Sequence, residues 1–136
     1  MDYICMLHDF EAPDFPSYWV DCVNQGRLDD LISLYHKDAI LIPTFLPNVV
    51  KDEGALEKYF TELSSKEGMQ VILHENTIDC LEIEENIFVT NGMYDFKFEI
   101  DGISQIFPSR FTFVLDLHKE SPVLHHHSSQ APTVIA

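Results

Sequence analysis

The chain has 136 residues, of which 46% are hydrophobic and 12% aromatic, so it is long enough to form one domain around one core. Twenty-three acidic residues against eight basic ones give a formal net charge of -15. The basic residues are scattered along the chain, so a phosphate backbone or an anionic membrane surface would be repelled. We therefore expect neither nucleic acid nor a membrane as a partner.

We expect no targeting segment and no membrane-spanning segment in this chain. No window approaches the roughly 20 apolar residues that cross a bilayer, and the amino end lacks a basic stretch followed by an apolar run. Cys5, Cys22 and Cys80 are odd in number and far apart, which indicates neither a disulfide framework nor a cysteine zinc site. These features predict a cytoplasmic protein.

The first half of the chain is dominated by apolar residues at helical spacing. Residues 1–16 contain two prolines and are predicted to form an extended arm. The first helix is predicted to end at residues 24–26, Asn-Gln-Gly, because glycine is typical of helix ends. The third helix begins near Asp52 and ends near Gly68. The apolar positions that predict the three helices are Trp19, Val20 and Val23; Leu28, Leu31, Ile32 and Tyr35; and Leu56, Tyr59, Phe60 and Leu63.

Beyond residue 68 the period of the pattern changes from helical to extended. A short strand at 39–42 is followed by long strands at 71–83, 87–100, 103–117 and 123–129. Short connections make the long strands antiparallel neighbours. The predicted fold class is α+β, a cone in which three helices pack on a strongly curved antiparallel sheet and leave a cavity between them. We place the arm at 1–16, the domain at 17–132 and a tail at 133–136.

Three adjacent histidines in the last strand first suggest a metal site. In a strand, side chains alternate between faces, so only His125 and His127 can point together. A catalytic zinc normally takes three protein ligands, and a third would have to come from His74, His118 or an acid across the sheet. Nothing in the spacing requires such a ligand. We expect no metal and no cofactor.

The order of elements and several strings resemble the nuclear transport factor 2-like superfamily, which has a cystatin-like fold. Within it, the chain resembles the association domain of calcium/calmodulin-dependent protein kinase II and stand-alone bacterial relatives, including SnoaL-like proteins. The histidine run and the Ala-Pro that follows it are the most specific string. There are four matching strings: residues 24–26 followed by residues 28–34, residues 53–54 leading into residues 59–60, residues 110–113, and residues 125–132.

Arg110 lies in a strand that is otherwise rich in apolar residues. A guanidinium is costly to bury alone, so it needs a carboxylate such as Asp95 or Glu99, a carbonyl, water or an anionic ligand. The resemblance implies an anion role, because the matching arginine of the association domain lines a deep pocket that accepts carboxylate-bearing ligands. The alternative of a structural ion pair stays open.

Matching the last strand to the family places His126 and Ser128 in the same cavity as Arg110. The aromatic residues of the helical stripes would supply the wall, and a phenol tolerates a wet surface. His126 there could assist acid–base chemistry or only donate and accept hydrogen bonds. The predicted ligand-binding residues are Arg110, His126, Ser128, Tyr35, Tyr59 and Trp19.

Two functions follow from the resemblance. The first is a self-associating protein, a homodimer or a higher oligomer, whose pocket holds a small organic acid. The second is an enzyme of the SnoaL-like or ketosteroid isomerase-like type, an isomerase, cyclase or hydrolase using His126. Those enzymes have an aspartate just after the first strand, where this chain has 41–45, Leu-Ile-Pro-Thr-Phe. We therefore favour the binding and assembly function and assign no catalytic residue.

The strand that contains Arg110 also predicts self-association. Phe111, Phe113 and Leu115 alternate with Arg110, Thr112 and Val114, so both faces of this strand are largely apolar. One face meets the helices. The other face then requires cover, which a second copy of the chain would provide.

Overall fold

A computed structural model describes residues 8–132, and the predictions for residues 1–7 and for the tail at 133–136 lie outside the described residues. The fold is α+β, as predicted. A 3-10 turn at Ala12–Asp14 precedes helices α1 (Phe15–Asn24), α2 (Leu28–Ser33) and α3 (Glu53–Ser64). The strands are β1 (Tyr35–Ile42), β2 (Gln70–Glu84), β3 (Ile87–Ile100), β4 (Ile103–Asp116) and β5 (Val123–Gln130).

One five-stranded sheet has the order β1-β5-β4-β3-β2. The four long strands pair antiparallel in sequence order, which confirms the predicted meander. β1 instead pairs parallel with β5, so the sheet is mixed. No hairpin joins β1 to β5, because α3 and three strands lie between them in the chain, and β1 is therefore free to enter the sheet in either direction.

The second helix is shorter than predicted, and Tyr35 is not part of it. α2 ends at Ser33, and Tyr35 begins β1. The backbone amide of Val123 donates to the carbonyl oxygen of Leu34 at 2.9 Å, so β5 recruits the chain into the sheet at this point. The tertiary pairing overrides the helical spacing that placed Tyr35 with the stripe of α2.

Helix α3 begins close to the predicted residue. Asp52 adopts an extended conformation, and its carboxylate accepts a hydrogen bond from the backbone amide of Ala55 at 2.8 Å. This is an N-cap, which satisfies one of the amides left free in the first turn of a helix. The predicted apolar stripe is the buried face of α3: Leu56, Tyr59, Phe60 and Leu63.

The sheet has one inner and one outer face. In β4, Phe111, Phe113 and Leu115 are buried at 2%, 0% and 0% exposure, whereas Arg110 on the other face is exposed. Helix α1 packs on the inner face, where the ring of Phe15 lies 4.9 Å from that of Phe113. The inner face thus forms the core.

Two local contacts close the core at its margins. The side chain of Asn24 donates to the carbonyl oxygen of Val71 at 2.8 Å and accepts from the amide of Val71 at 2.7 Å. It thereby takes the place of a neighbouring strand at the edge of β2. Phe45, after β1, packs edge-on against Phe96 and Phe107 at 5.2 and 5.5 Å between ring centroids. This loop covers one end of the space beneath the helices.

Candidate functional site

The strand register brings the two predicted polar residues of β5 onto the inner face. His126 lies opposite Phe113, and Ser128 lies opposite Phe111, with exposures of only 1% and 3%. Trp19 of α1 packs edge-on against the His126 ring, with 5.3 Å between the centroids. The shared face of His126 and Ser128 was predicted from strand alternation alone.

A continuous chain of hydrogen bonds runs through this buried site. The indole Nε1 of Trp19 donates to the Tyr35 hydroxyl at 3.0 Å, and that hydroxyl lies 2.7 Å from Nδ1 of His126. Nε2 of His126 lies 3.1 Å from the Tyr94 hydroxyl, which donates to the Ser128 hydroxyl at 2.6 Å. The chain continues from the Ser128 hydroxyl to that of Thr44.

The direction of these bonds assigns the tautomer of His126. A tyrosine hydroxyl has one hydrogen to donate, and Tyr94 gives it to Ser128, so Tyr94 must accept from Nε2–H of His126. Nδ1 is then the acceptor for the Tyr35 hydroxyl, which in turn accepts from Trp19. A second proton on Nδ1 would remove the acceptor of the buried Tyr35 hydroxyl proton, so the network favours the neutral imidazole.

Burial shifts the pKa values of His126, Tyr35 and Tyr94 in the direction that favours the uncharged form of each side chain. The pKa of His126 is lowered well below its ordinary value of 6.5 by burial and, to a smaller extent, by His125 and His127. Burial raises the pKa of Tyr35 and of Tyr94. These groups are therefore neutral over the physiological range and act as hydrogen-bonding groups.

Tyr59 lies on the other side of the same space. Burial raises its pKa to about 12, partly offset by hydrogen bonds from the backbone of Phe45 and Thr44. Trp19, Tyr59, His126 and Ser128 line one small cavity that leaves no room for a water-sized molecule. The ring of Phe113 stacks on that of His126 at 4.0 Å. The interior of the cone is thus filled by side chains.

Arg110 does not lie in this cavity, so the prediction that places it beside His126 is wrong. Arg110 is opposite Ser129 across β4 and β5, and its Nε donates to the Ser129 hydroxyl at 3.4 Å. It is exposed on the outer face, in a shallow groove that also contains His127 and Thr112. Exposure removes the cost of burying the guanidinium, which was the reason for expecting a buried anionic partner. Within residues 8–132 it forms no ion pair with Asp95 or Glu99.

Two members of the hydrogen-bond chain were not among the predicted site residues. Tyr94 lies in β3, where its alternation with Phe96 and Phe98 marks the inner face of the strand. Thr44 lies in the loop after β1, and no sequence pattern connects it with Ser128. Its position depends on how that loop folds over the sheet.

His125 and His127 share the outer face, as predicted. The part of the chain that the structure describes holds no group of three histidine, cysteine, aspartate or glutamate side chains that could bind a metal ion. Among these residues there is also no helix with the length and hydrophobicity needed to cross a bilayer.

The neutral state of His126 predicts that acid destabilises the fold. The unfolded chain takes up a proton near pH 6.5, whereas the lowered pKa of the folded state resists it, so the unfolded state binds more protons below that pH. The stabilisation is complete above pH 6.5 and declines as the pH falls, by at most about 1.4 kcal/mol per pH unit for one proton. Urea denaturation between about pH 7 and 5 measures this slope.

The control for that experiment is His126→Gln, which cannot take up a proton in either state. The other titrating groups are common to both proteins, so the difference between the two pH profiles isolates the imidazole. Parallel profiles would contradict a neutral, buried His126.

Comparison with known proteins supports the fold. No protein-family model matches the chain. A putative calcium/calmodulin dependent protein kinase II association domain from Xanthomonas campestris superposes with a TM-score of 0.79 at 24% sequence identity, covering 93% of this chain and 91% of that one. A ketosteroid isomerase-like protein from Erwinia carotovora atroseptica gives a TM-score of 0.69 at 11% identity, covering 85% and 89%.

One curated protein is similar in sequence. Human serpin B12 is 32% identical over an alignment of 105 residues, and the match covers 71% of this chain and 22% of that protein. The chain thus spans about a fifth of the length of this relative. Such a partial match carries no activity over to this chain.

Proposed function

Because the chain has the nuclear transport factor 2-like fold, we propose that it is an assembly module in which the outer faces of two sheets pack against each other. The Xanthomonas protein with the similar fold is named an association domain, which supports a role in self-association. The outer face is the surface of this chain that best fits such a contact.

The observation that carries this proposal is the apolar character of the outer face. Ile40 of β1, Ile72 of β2 and Ile106 of β4 are 40%, 36% and 54% exposed. Val114 and Met93 lie at the centre of the same face and are only half-buried. Exposed apolar side chains spread over one sheet face are typical of a protein interface.

The charges on this face also permit two copies to approach. The chain carries a net charge of -15, which opposes association in general. On the outer face, however, Asp95 is hydrogen-bonded to His74 at 3.0 Å and Asp116 to His118 at 2.8 Å. Arg110 adds a positive charge between them. Arg110 and Lys97, which lies opposite Ile106, therefore offset part of the acidic charge of this face.

Replacing Val114 with glutamate is expected to weaken self-association by more than about 100-fold. In a two-fold contact the new carboxylates of both copies would be buried without partners, which is strongly unfavourable. Sedimentation equilibrium of wild type and variant measures the change. Circular dichroism confirms that the variant is folded.

The matched control is Ile103→Glu at the β3–β4 hairpin, where Ile103 is 62% exposed. It introduces the same charge off the outer face and is expected to leave association unchanged. A monomeric wild type, or equal weakening in both variants, would refute assembly through the outer face.

The inner cavity supports the other two functions less well. A small carboxylate would need a cation, and Arg110 is on the opposite face. A substrate for an enzyme using His126 would need space that the surrounding side chains occupy. The buried hydrogen-bond chain is better explained as a device that holds α1, β1, β3 and β5 together.

A further inference from the structure

A second cavity, away from His126, lies where the segment before α1 meets the β2–β3 turn and the end of β4. Its volume is about 600 Å³, within the range of small-molecule sites. Its walls include residues 8–14 together with Glu82, Asn86 and Leu117. The cavity has three kinds of wall, each of which favours a different part of one ligand.

The first wall is acidic. Asp9, Glu11, Asp14 and Glu82 all line the cavity and are all exposed. Among residues 8–132 none of these four carboxylates forms an ion pair with a basic side chain. Four unpaired carboxylates around one cavity attract a cation.

The second wall is aromatic. Phe10 and Phe88 line the cavity, and Phe10 is held in place by Phe15 and Tyr18, with centroids 5.2 and 5.3 Å away. The face of a phenylalanine ring attracts an ammonium or guanidinium group and packs well against methylene groups. An organic cation therefore fits this wall better than a hydrated metal ion does.

The third wall carries an unsatisfied donor. Asn86 is 6% exposed, and its side-chain Nδ2 has no hydrogen-bond partner among the residues that the structure describes. Its backbone is fully engaged: the amide donates to Oε2 of Glu82 at 3.1 Å, and the carbonyl oxygen accepts from the amide of Leu117 at 2.8 Å. A buried amide donor without a partner is unfavourable and is relieved by a ligand that brings an acceptor.

We propose that this cavity binds a lysine residue of a basic peptide. The ammonium group lies among the carboxylates, the methylene chain lies against Phe10 and Phe88, and a backbone carbonyl oxygen accepts from Nδ2 of Asn86. This site is separate from the outer face and does not depend on self-association.

The probe for the test is Nα-acetyl-lysine amide, added to the ¹⁵N-labelled protein. The side-chain amide signals of Asn86 are expected to shift saturably. Nα-acetyl-norleucine amide, which has a similar chain without the ammonium group, is expected to bind much more weakly. Equal affinity for both probes, or no saturable shift at any soluble concentration, would overturn the proposal.

Two variants test the walls separately. Asp9→Asn with Glu11→Gln is expected to weaken lysine binding by about threefold or more, given the modest energy of exposed ion pairs. Asn86→Gly removes the donor and suits the backbone, because Asn86 has a φ of 61°. It is also expected to weaken binding, and in this variant binding is followed by the backbone amide signal of Leu117, which also lines the cavity. Unchanged affinity in either variant would show that the corresponding wall does not bind the probe.

A charge-matched control separates local from general attraction. Glu57→Gln with Glu62→Gln removes two exposed carboxylates from α3, which is remote from the cavity walls. It is expected to leave the affinity for the lysine probe unchanged. Weakening equal to that of the Asp9 and Glu11 variant would assign the binding to the net charge and refute a built site.

Discussion

Replacing His126 with alanine is expected to lower the free energy of unfolding by about 3–5 kcal/mol. The variant removes one buried hydrogen-bond partner from the Tyr35 hydroxyl and one from the Tyr94 hydroxyl. It also creates a cavity beside Phe113, whose ring stacks on the imidazole at 4.0 Å. Urea denaturation followed by circular dichroism measures the loss.

His118→Ala is the matched control for this variant. His118 is also hydrogen-bonded, to the Asp116 carboxylate at 2.8 Å, but its side chain is 41% exposed. An exposed pair of this kind contributes at most about 1 kcal/mol. Equal losses in the two variants would mean that the buried hydrogen-bond chain does not stabilise the fold.

Replacing Gly92 with alanine is expected to lower the free energy of unfolding by about 1–3 kcal/mol. An added Cβ would lie 2.9 Å from Cζ of Phe111 and 3.2 Å from the hydroxyl oxygen of Thr77. Phe111 is only 2% exposed and packs on Tyr94, so its ring cannot move outward. Thermal and urea denaturation measure the effect.

The same substitution at Gly54 is the control. There the added Cβ would meet only Oδ1 of Asp52 at 3.4 Å, which is an ordinary contact, on the exposed side of α3. Alanine favours a helix over glycine by up to about 1 kcal/mol, so this variant is expected to match or exceed the wild-type stability. A comparable loss at Gly54 and Gly92 would show that close packing at Gly92 is not the cause.

Periodicity within each segment was enough to predict most elements of the fold. The apolar stripe of α3, its start near Asp52 and the four long antiparallel strands all follow from local patterns. The parallel entry of β1 could not be predicted in this way. It depends on pairing between Leu41 and His126, which are 85 positions apart in the chain and share no local signal.

The misplacement of Arg110 has a specific physical cause. Strand alternation establishes that Arg110 and Phe111 lie on opposite faces of β4, and that His126 and His127 lie on opposite faces of β5. Alternation alone does not establish whether His126 lies on the same face of the sheet as Arg110 or on the same face as Phe111. The register across the two strands decides this, and it pairs Phe113 with His126.

What the sequence by itself determined about the histidine run is its division into two surfaces. Residues spaced by two in a strand must point the same way, so His126 and Ser128 separate from His125 and His127 without any tertiary information. Only the tertiary structure decided which surface is buried and what meets it. The partners of His126, Tyr35 and Tyr94, come from other strands, and their positions depend on packing and register.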